Sequence, residues 1–164
     1  MQTVYRYLWL TLVLVVLPSC GFQLQSHAGL PSDMQQTRLV IQAPQSEFAR
    51  RVESLLVQNG VRVVATFEGA AVLEVPLNRA RKEIQSIGNN ARVREYLLRH
   101  TVQFRLLDSQ GKELVPLQTI EQSRTYSFDE QDILSAERED EFLRRDLADK
   151  LARMLVRRLA SYGK

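Results

Sequence analysis

The chain of 164 residues has one cysteine, one tryptophan and two histidines, and each scarcity removes a class of function. A lone cysteine forms no disulfide within the chain, so the core must hold the fold by itself even in an oxidising compartment. The histidines, His27 and His100, have no cysteine or carboxylate partners at the spacing of a three- or four-ligand zinc site. The seven glycines are scattered, and no Walker loop, G-x-S-x-G turn or Rossmann fingerprint is present. These absences argue against an enzyme. Charge of one sign is lacking too: 22 basic and 19 acidic residues give a net charge of +3, and the two signs are interleaved. Such a balance does not mark a nucleic-acid binder.

What is present begins with the position of the cysteine. Cys20 follows an apolar run, Leu8 to Leu17 (LWLTLVLVVL), with Arg6 ahead of it. The run is shorter than the roughly 20 apolar residues of a membrane-spanning helix. It matches the apolar region of a signal peptide. Leu17-Pro18-Ser19-Cys20 has an apolar residue three before the cysteine and a small residue just before it, the layout of a bacterial lipobox, and Pro18 ends the apolar helix at the cleavage site. Residues 1–19 are therefore read as a lipoprotein signal peptide and Cys20 as the acylated residue, carrying N-acyl and S-diacylglycerol lipid. No other cofactor is called for. Gly21, in place of an aspartate, points to the outer membrane, on its periplasmic side. Residues 20–37, with Gly29, Pro31, Ser32 and Asp33, read as a lipidated tether. Residues 38–164 have the size of one domain.

Within that domain, Arg38 to Ala43 alternates as a strand closed by Pro44. Ser46 caps a helix over 46–58, with apolar Phe48, Val52, Leu55 and Leu56 and a left-handed end at Asn59-Gly60. Val61 to Thr66 and Val72 to Pro76 are β-branched strands joined by a turn at Glu68-Gly69, and Asn78 to Ile87 is a further irregular strand turning at Gly88-Asn89-Asn90. The clearest strand spans 94–107: Tyr96, Leu98, His100, Val102, Phe104 and Leu106 share one face, and Arg99, Thr101, Gln103 and Arg105 the other. A turn at 108–112 returns the chain into a strand over 118–128. A helix over 136–160 closes the domain, with Leu143, Leu147, Leu151 and Leu155 in register, acids in its first turns and arginines in its last. The expected fold is α+β, a two-layer sandwich with two helices on one face of a mostly antiparallel sheet of about four strands. Arg92, Arg94, Arg99 and Arg105 run along the long strand and its turn, with Arg124 on its partner. Such guanidinium groups suit phosphate, although a salt-bridged, solvated sheet face fits the same pattern.

Taken together, Cys20-Gly21-Phe22-Gln23-Leu24, the helix end Leu55-Leu56-Val57-Gln58-Asn59-Gly60-Val61, Glu95-Tyr96, Arg124-Thr125-Tyr126-Ser127-Phe128-Asp129 and the closing Leu151, Leu155, Arg157-Arg158 resemble the LptE family of lipopolysaccharide-assembly lipoproteins over essentially the whole chain. The resemblance implies an outer-membrane lipoprotein that plugs the LptD β-barrel as a one-to-one heterodimer and assists lipopolysaccharide delivery to the outer leaflet. It also implies lipopolysaccharide contacts by basic residues near the turn before the long strand and the loop before the last helix. Asn89 and Glu137 stand where a basic residue aligns, with Arg92, Arg94 and Arg138 nearby as candidate lipopolysaccharide-binding residues. The alternative reading is a free periplasmic carrier that holds lipid in its own cavity.

Overall fold

The computed structural model describes residues 29–66, 68–89 and 92–162. The signal segment, Cys20, His27 and the tether as far as residue 28 lie outside the described residues. A short 3-10 turn, Ser32–Gln35, leads into β1 (Gln36–Ile41), α1 (Glu47–Gln58), β2 (Arg62–Val63), β3 (Ala71–Ile87), β4 (Val93–Leu107), β5 (Glu113–Ser127) and α2 (Ile133–Tyr162). Both helices pack on one face of the sheet, through a core that includes Phe48, Val52 and Leu56 of α1, Leu73, Val102, Phe104 and Ile120 of the sheet, and Leu151, Leu155 and Leu159 of α2. Each such side chain contributes roughly 1.5–3 kcal/mol on burial.

The α+β sandwich is as expected from the sequence, but the sheet has five strands in the order β2-β1-β3-β4-β5 and is mixed. β1 runs parallel to both β2 and β3, whereas β3, β4 and β5 are antiparallel. The physical cause is α1, a crossover helix that returns the chain to β2 in the direction of β1. β2 is only two residues long, much shorter than the β-branched run around it.

The two strands expected at 72–76 and 78–87 are one. Pro76 has no N–H to give to a ladder. It sits where the β3–β4 register shifts between Glu74 and Leu77, just past Val75, the last residue of β3 paired to β1. The bulge absorbs the proline and the strand continues. Pro116 is placed in the same way, within the β4–β5 shift between Phe104 and Leu106, so β5 begins at Glu113 and not at Gln118.

Helix α1 begins where Ser46 Oγ accepts the Ala49 N–H at 3.2 Å and ends before Gly60, whose φ of 85° suits only a residue without a Cβ. Arg51 Nε donates to Asp149 Oδ1 at 2.5 Å and ties α1 to α2. The expected charge match at the ends of α2 is not there: the helix starts earlier and runs on to Tyr162, so its first turn has no acid and its last no base. Macrodipole effects fade within one turn. The acids of α2 instead pair along its surface, as Asp140 with Arg144, Glu141 with Arg145, Asp146 with Lys150 and Asp149 with Arg153.

Past Val75 the sheet narrows to a three-stranded ribbon, because β3 there pairs with β4 alone. A small cluster of Leu98, Tyr126 and Leu147, with Tyr96 and Leu143 against it, clamps the first half of α2 to this ribbon. The clamp fixes the far end of the molecule, where the turn before β4 meets the segment joining β5 to α2.

Candidate functional site

At that far end the β4–β5 ladder extends one bond further, with the Phe128 N–H donating to the Arg94 carbonyl at 2.8 Å. The Phe128 ring meets Tyr96 edge to face at 5.2 Å between centroids. The Gly88 N–H donates to the Arg92 carbonyl at 2.7 Å and closes the turn on the other side. Between these segments lies an open cleft of about 470 Å³, lined by 92–95 and 127–131.

The cleft brings Arg92 and Arg94 together but does not include Arg138. Arg92 Nη1 lies 2.8 Å from Glu130 Oε2, so that guanidinium already has a carboxylate. Arg94 has no ion-pair partner among the described residues. Glu95 turns to Ser86, whose hydroxyl donates to Oε2 at 2.8 Å. The lining therefore mixes two arginines with Glu95, Asp129 and Glu130, and Arg94 is the cation best placed to meet an outside anion. Arg138 is exposed on α2 and acts on Asp132, whose Oδ1 accepts the Ser135 N–H at 3.2 Å and caps the helix. The bonds from Ser135, with the charge of Arg138, hold the Asp132 carboxyl below its ordinary range.

The arginine row read along β4 splits across the sheet. Arg99 and Arg105 lie on the face away from the helices, where Arg99 pairs with Glu121 at 2.5 Å and Arg105 with Glu74 at 2.6 Å. Arg124 stands opposite Leu98, on the helix side of the edge strand β5. Alternation already carried this split, since 94 and 99 differ in parity.

Sequence reasoning missed the polar clamp behind the cleft. Lys82 Nζ sits 4.1 Å from the centroid of Tyr96 and 5.3 Å from that of Tyr126, and 3.3 Å from Asp140 Oδ1. Tyr126 Oη donates to the same oxygen at 2.8 Å. Burial opposes charge on Lys82, yet its contacts with Tyr126 and Asp140 raise its pKa above the ordinary value. Burial likewise opposes ionisation of Asp140, but Arg144, Tyr126 and Lys82 lower its pKa. The register carries it: Lys82 stands opposite the buried Leu98 and so falls on the helix side. His100, expected on the apolar face, is buried there; its Nε2 lies 2.8 Å from Asn78 Oδ1, and its ring meets Phe48 edge to face. Among the described residues no group of His, Cys, Asp and Glu is arranged to hold a metal ion, and no helix is long and apolar enough to cross a membrane.

Comparison with known proteins places this geometry in context. The sequence profile of LptE, described as lipopolysaccharide-assembly, matches residues 34–159, which takes in nearly all of the described fold. The LPS-assembly lipoprotein LptE of Yersinia pestis (strain Pestoides F) is 30% identical over 154 residues, covering 93% of this chain and 73% of the relative. The solution structure of lipoprotein B from Nitrosomonas europaea superposes with a TM-score of 0.73 at 25% identity, over 87% of this chain and 92% of that one. The crystal structure of rare lipoprotein B from Shewanella oneidensis gives 0.67 at 27% identity, over 77% and 94%.

Proposed function

The chain belongs to the LptE family of lipopolysaccharide-assembly proteins, and from that premise we propose that it is a lipoprotein of the outer membrane, held on the periplasmic side by acylated Cys20. There it forms a one-to-one plug-and-assembly complex with the LptD β-barrel and assists delivery of lipopolysaccharide to the outer leaflet. The family match over 34–159 carries this reading. The surface chemistry supports it, because ion pairs along α2 such as Glu141–Arg145 and Asp149–Arg153 give the helix layer a charged outer surface that suits the polar interior of a barrel.

The carrier alternative is less well supported. A lipid carrier needs an apolar pocket of roughly 300–1,000 Å³. The 470 Å³ cleft is lined by arginines and carboxylates, and the apolar groove beside β1 at Leu39, Ile41 and Val63 holds only about 140 Å³.

Lipopolysaccharide contact is assigned to Arg94 first, with Arg138, and with Arg92 once it exchanges Glu130 for a ligand phosphate. Reversing all three charges in a protein that stays folded is expected to weaken lipopolysaccharide binding by at least about tenfold, given the strength of charge-assisted hydrogen bonds. Binding that survives the triple reversal unchanged contradicts this assignment.

A further inference from the structure

The face of the sheet turned away from the helices holds a second group of arginines, separate from the cleft. In the β3–β4 register Arg79 stands opposite Thr101 and Arg81 opposite Arg99, while Leu98, His100 and Val102, which alternate with them along β4, are buried on the helix side. Like charges placed directly opposite each other destabilise a sheet unless something offsets them. For Arg99 the offset is double: Nη1 lies 2.5 Å from Glu121 Oε1 and Nε 3.6 Å from Glu83 Oε1. The Thr101 hydroxyl donates to the other oxygen of Glu121 at 2.8 Å. Glu121 is thus committed to Thr101 and Arg99. Arg79 and Arg81, both exposed, have no hydrogen-bond or ion-pair partner among the described residues.

Leu77, Arg79, Arg81, Arg99, Thr101 and Glu121 surround a depression of about 280 Å³. It also opens sideways, since β1 stops pairing with β3 at Val75. Residues two apart on a strand rise from one face about 7 Å apart, which leaves room for one tetrahedral anion between two guanidinium forks. Charge complementarity selects the anion. A phosphate monoester carries close to two negative charges and three acceptor oxygens, enough for both forks, whereas a single carboxylate saturates one.

We propose that Arg79 and Arg81, bordered by Arg99, form a phosphate-binding subsite for a phosphorylated sugar headgroup of a glycolipid. The subsite rests on the lipopolysaccharide contact proposed above and adds a second point of attachment to it.

The test uses the full acylated protein in detergent and measures binding to lipopolysaccharide, to the same lipopolysaccharide stripped of phosphate, and to phosphatidylglycerol vesicles. R79Q/R81Q is expected to bind the phosphorylated form about tenfold more weakly, to bind the stripped form like wild type, and to keep its unfolding midpoint. R79K/R81K, which keeps the charge but loses the forks, should fall between the two. R62Q/R157Q removes the same charge from exposed positions on β2 and α2 and should bind like wild type. The subsite is overturned if R79Q/R81Q binds phosphorylated lipopolysaccharide normally, or if R62Q/R157Q loses as much. An equal loss against phosphatidylglycerol overturns the sugar-phosphate assignment. Wild-type protein that binds neither form of lipopolysaccharide removes the underlying contact together with the subsite, which distinguishes that failure from loss of the subsite alone.

Discussion

His100 couples the stability of this fold to pH. The residue is 6% exposed, its ring centroid lies 5.9 Å from that of Phe48, and its Nε2 lies 2.8 Å from Asn78 Oδ1. Burial, with a smaller contribution from the charge of Arg144, lowers its pKa from 6.5 to about 4. The folded state therefore favours the neutral ring, which donates from Nε2 to Asn78. As pH falls below 6.5 the unfolded chain takes up a proton that the folded chain refuses, so stability present above that pH is lost progressively towards 4. Each pKa unit is worth about 1.4 kcal/mol, so the whole shift is on the order of 3 kcal/mol, and roughly 2 kcal/mol of it is gone by about pH 5. Urea unfolding of wild type and His100→Gln from neutral to mildly acidic pH isolates this effect, because carboxylates titrating in the same window act on both proteins. The difference in unfolding free energy between them should shrink by about 2 kcal/mol on going from about pH 7.5 to 5. Parallel pH profiles would refute the argument.

Other outcomes follow from the same packing. Asn78 donates from Nδ2 to the Gln42 backbone carbonyl at 3.1 Å and to Ser46 Oγ at 2.9 Å, and its Oδ1 holds His100, so Asn78→Ala should cost about 2–3 kcal/mol of unfolding free energy through lost partners of buried or half-buried groups. Leu155 is fully buried between helix and sheet, and Leu155→Ala should cost about 3–5 kcal/mol in chemical denaturation, with a loss below about 1 kcal/mol arguing against this core. Cys20→Ala should abolish incorporation of labelled palmitate, and label that persists would put the acylation site elsewhere.

Much of the fold was legible because its signals are local. The stripe of Phe48, Val52 and Leu56 with a capping Ser46 fixes α1, and the alternation from Tyr96 to Leu106 fixes β4 to within a residue of its observed start. What the sequence hid is non-local. Nothing in Arg38 to Ile41 states that β1 lies between two parallel neighbours, and Pro76 reads as a strand end, with 113–117 left out of the strand that starts at Gln118, until pairing shows Pro76 and Pro116 to lie at bulges. The site divides in the same way. Arg92 and Arg94 were visible as cations beside a turn, whereas the pairing of Arg92 with Glu130 depends on β5 delivering the chain back to the far end of β4. Arg79 and Arg81 do not stand out in the sequence because 78–87 is too polar to show its alternation clearly, and only the β4 register assigns them to one face.

Gentle detergent extraction of outer membranes that contain this protein with a C-terminal tag, followed by quantification of whatever co-purifies, tests the plug complex. A large β-barrel protein should be recovered in one-to-one ratio. Recovery of the lipoprotein alone, with lipid bound, would contradict the plug and favour a free carrier.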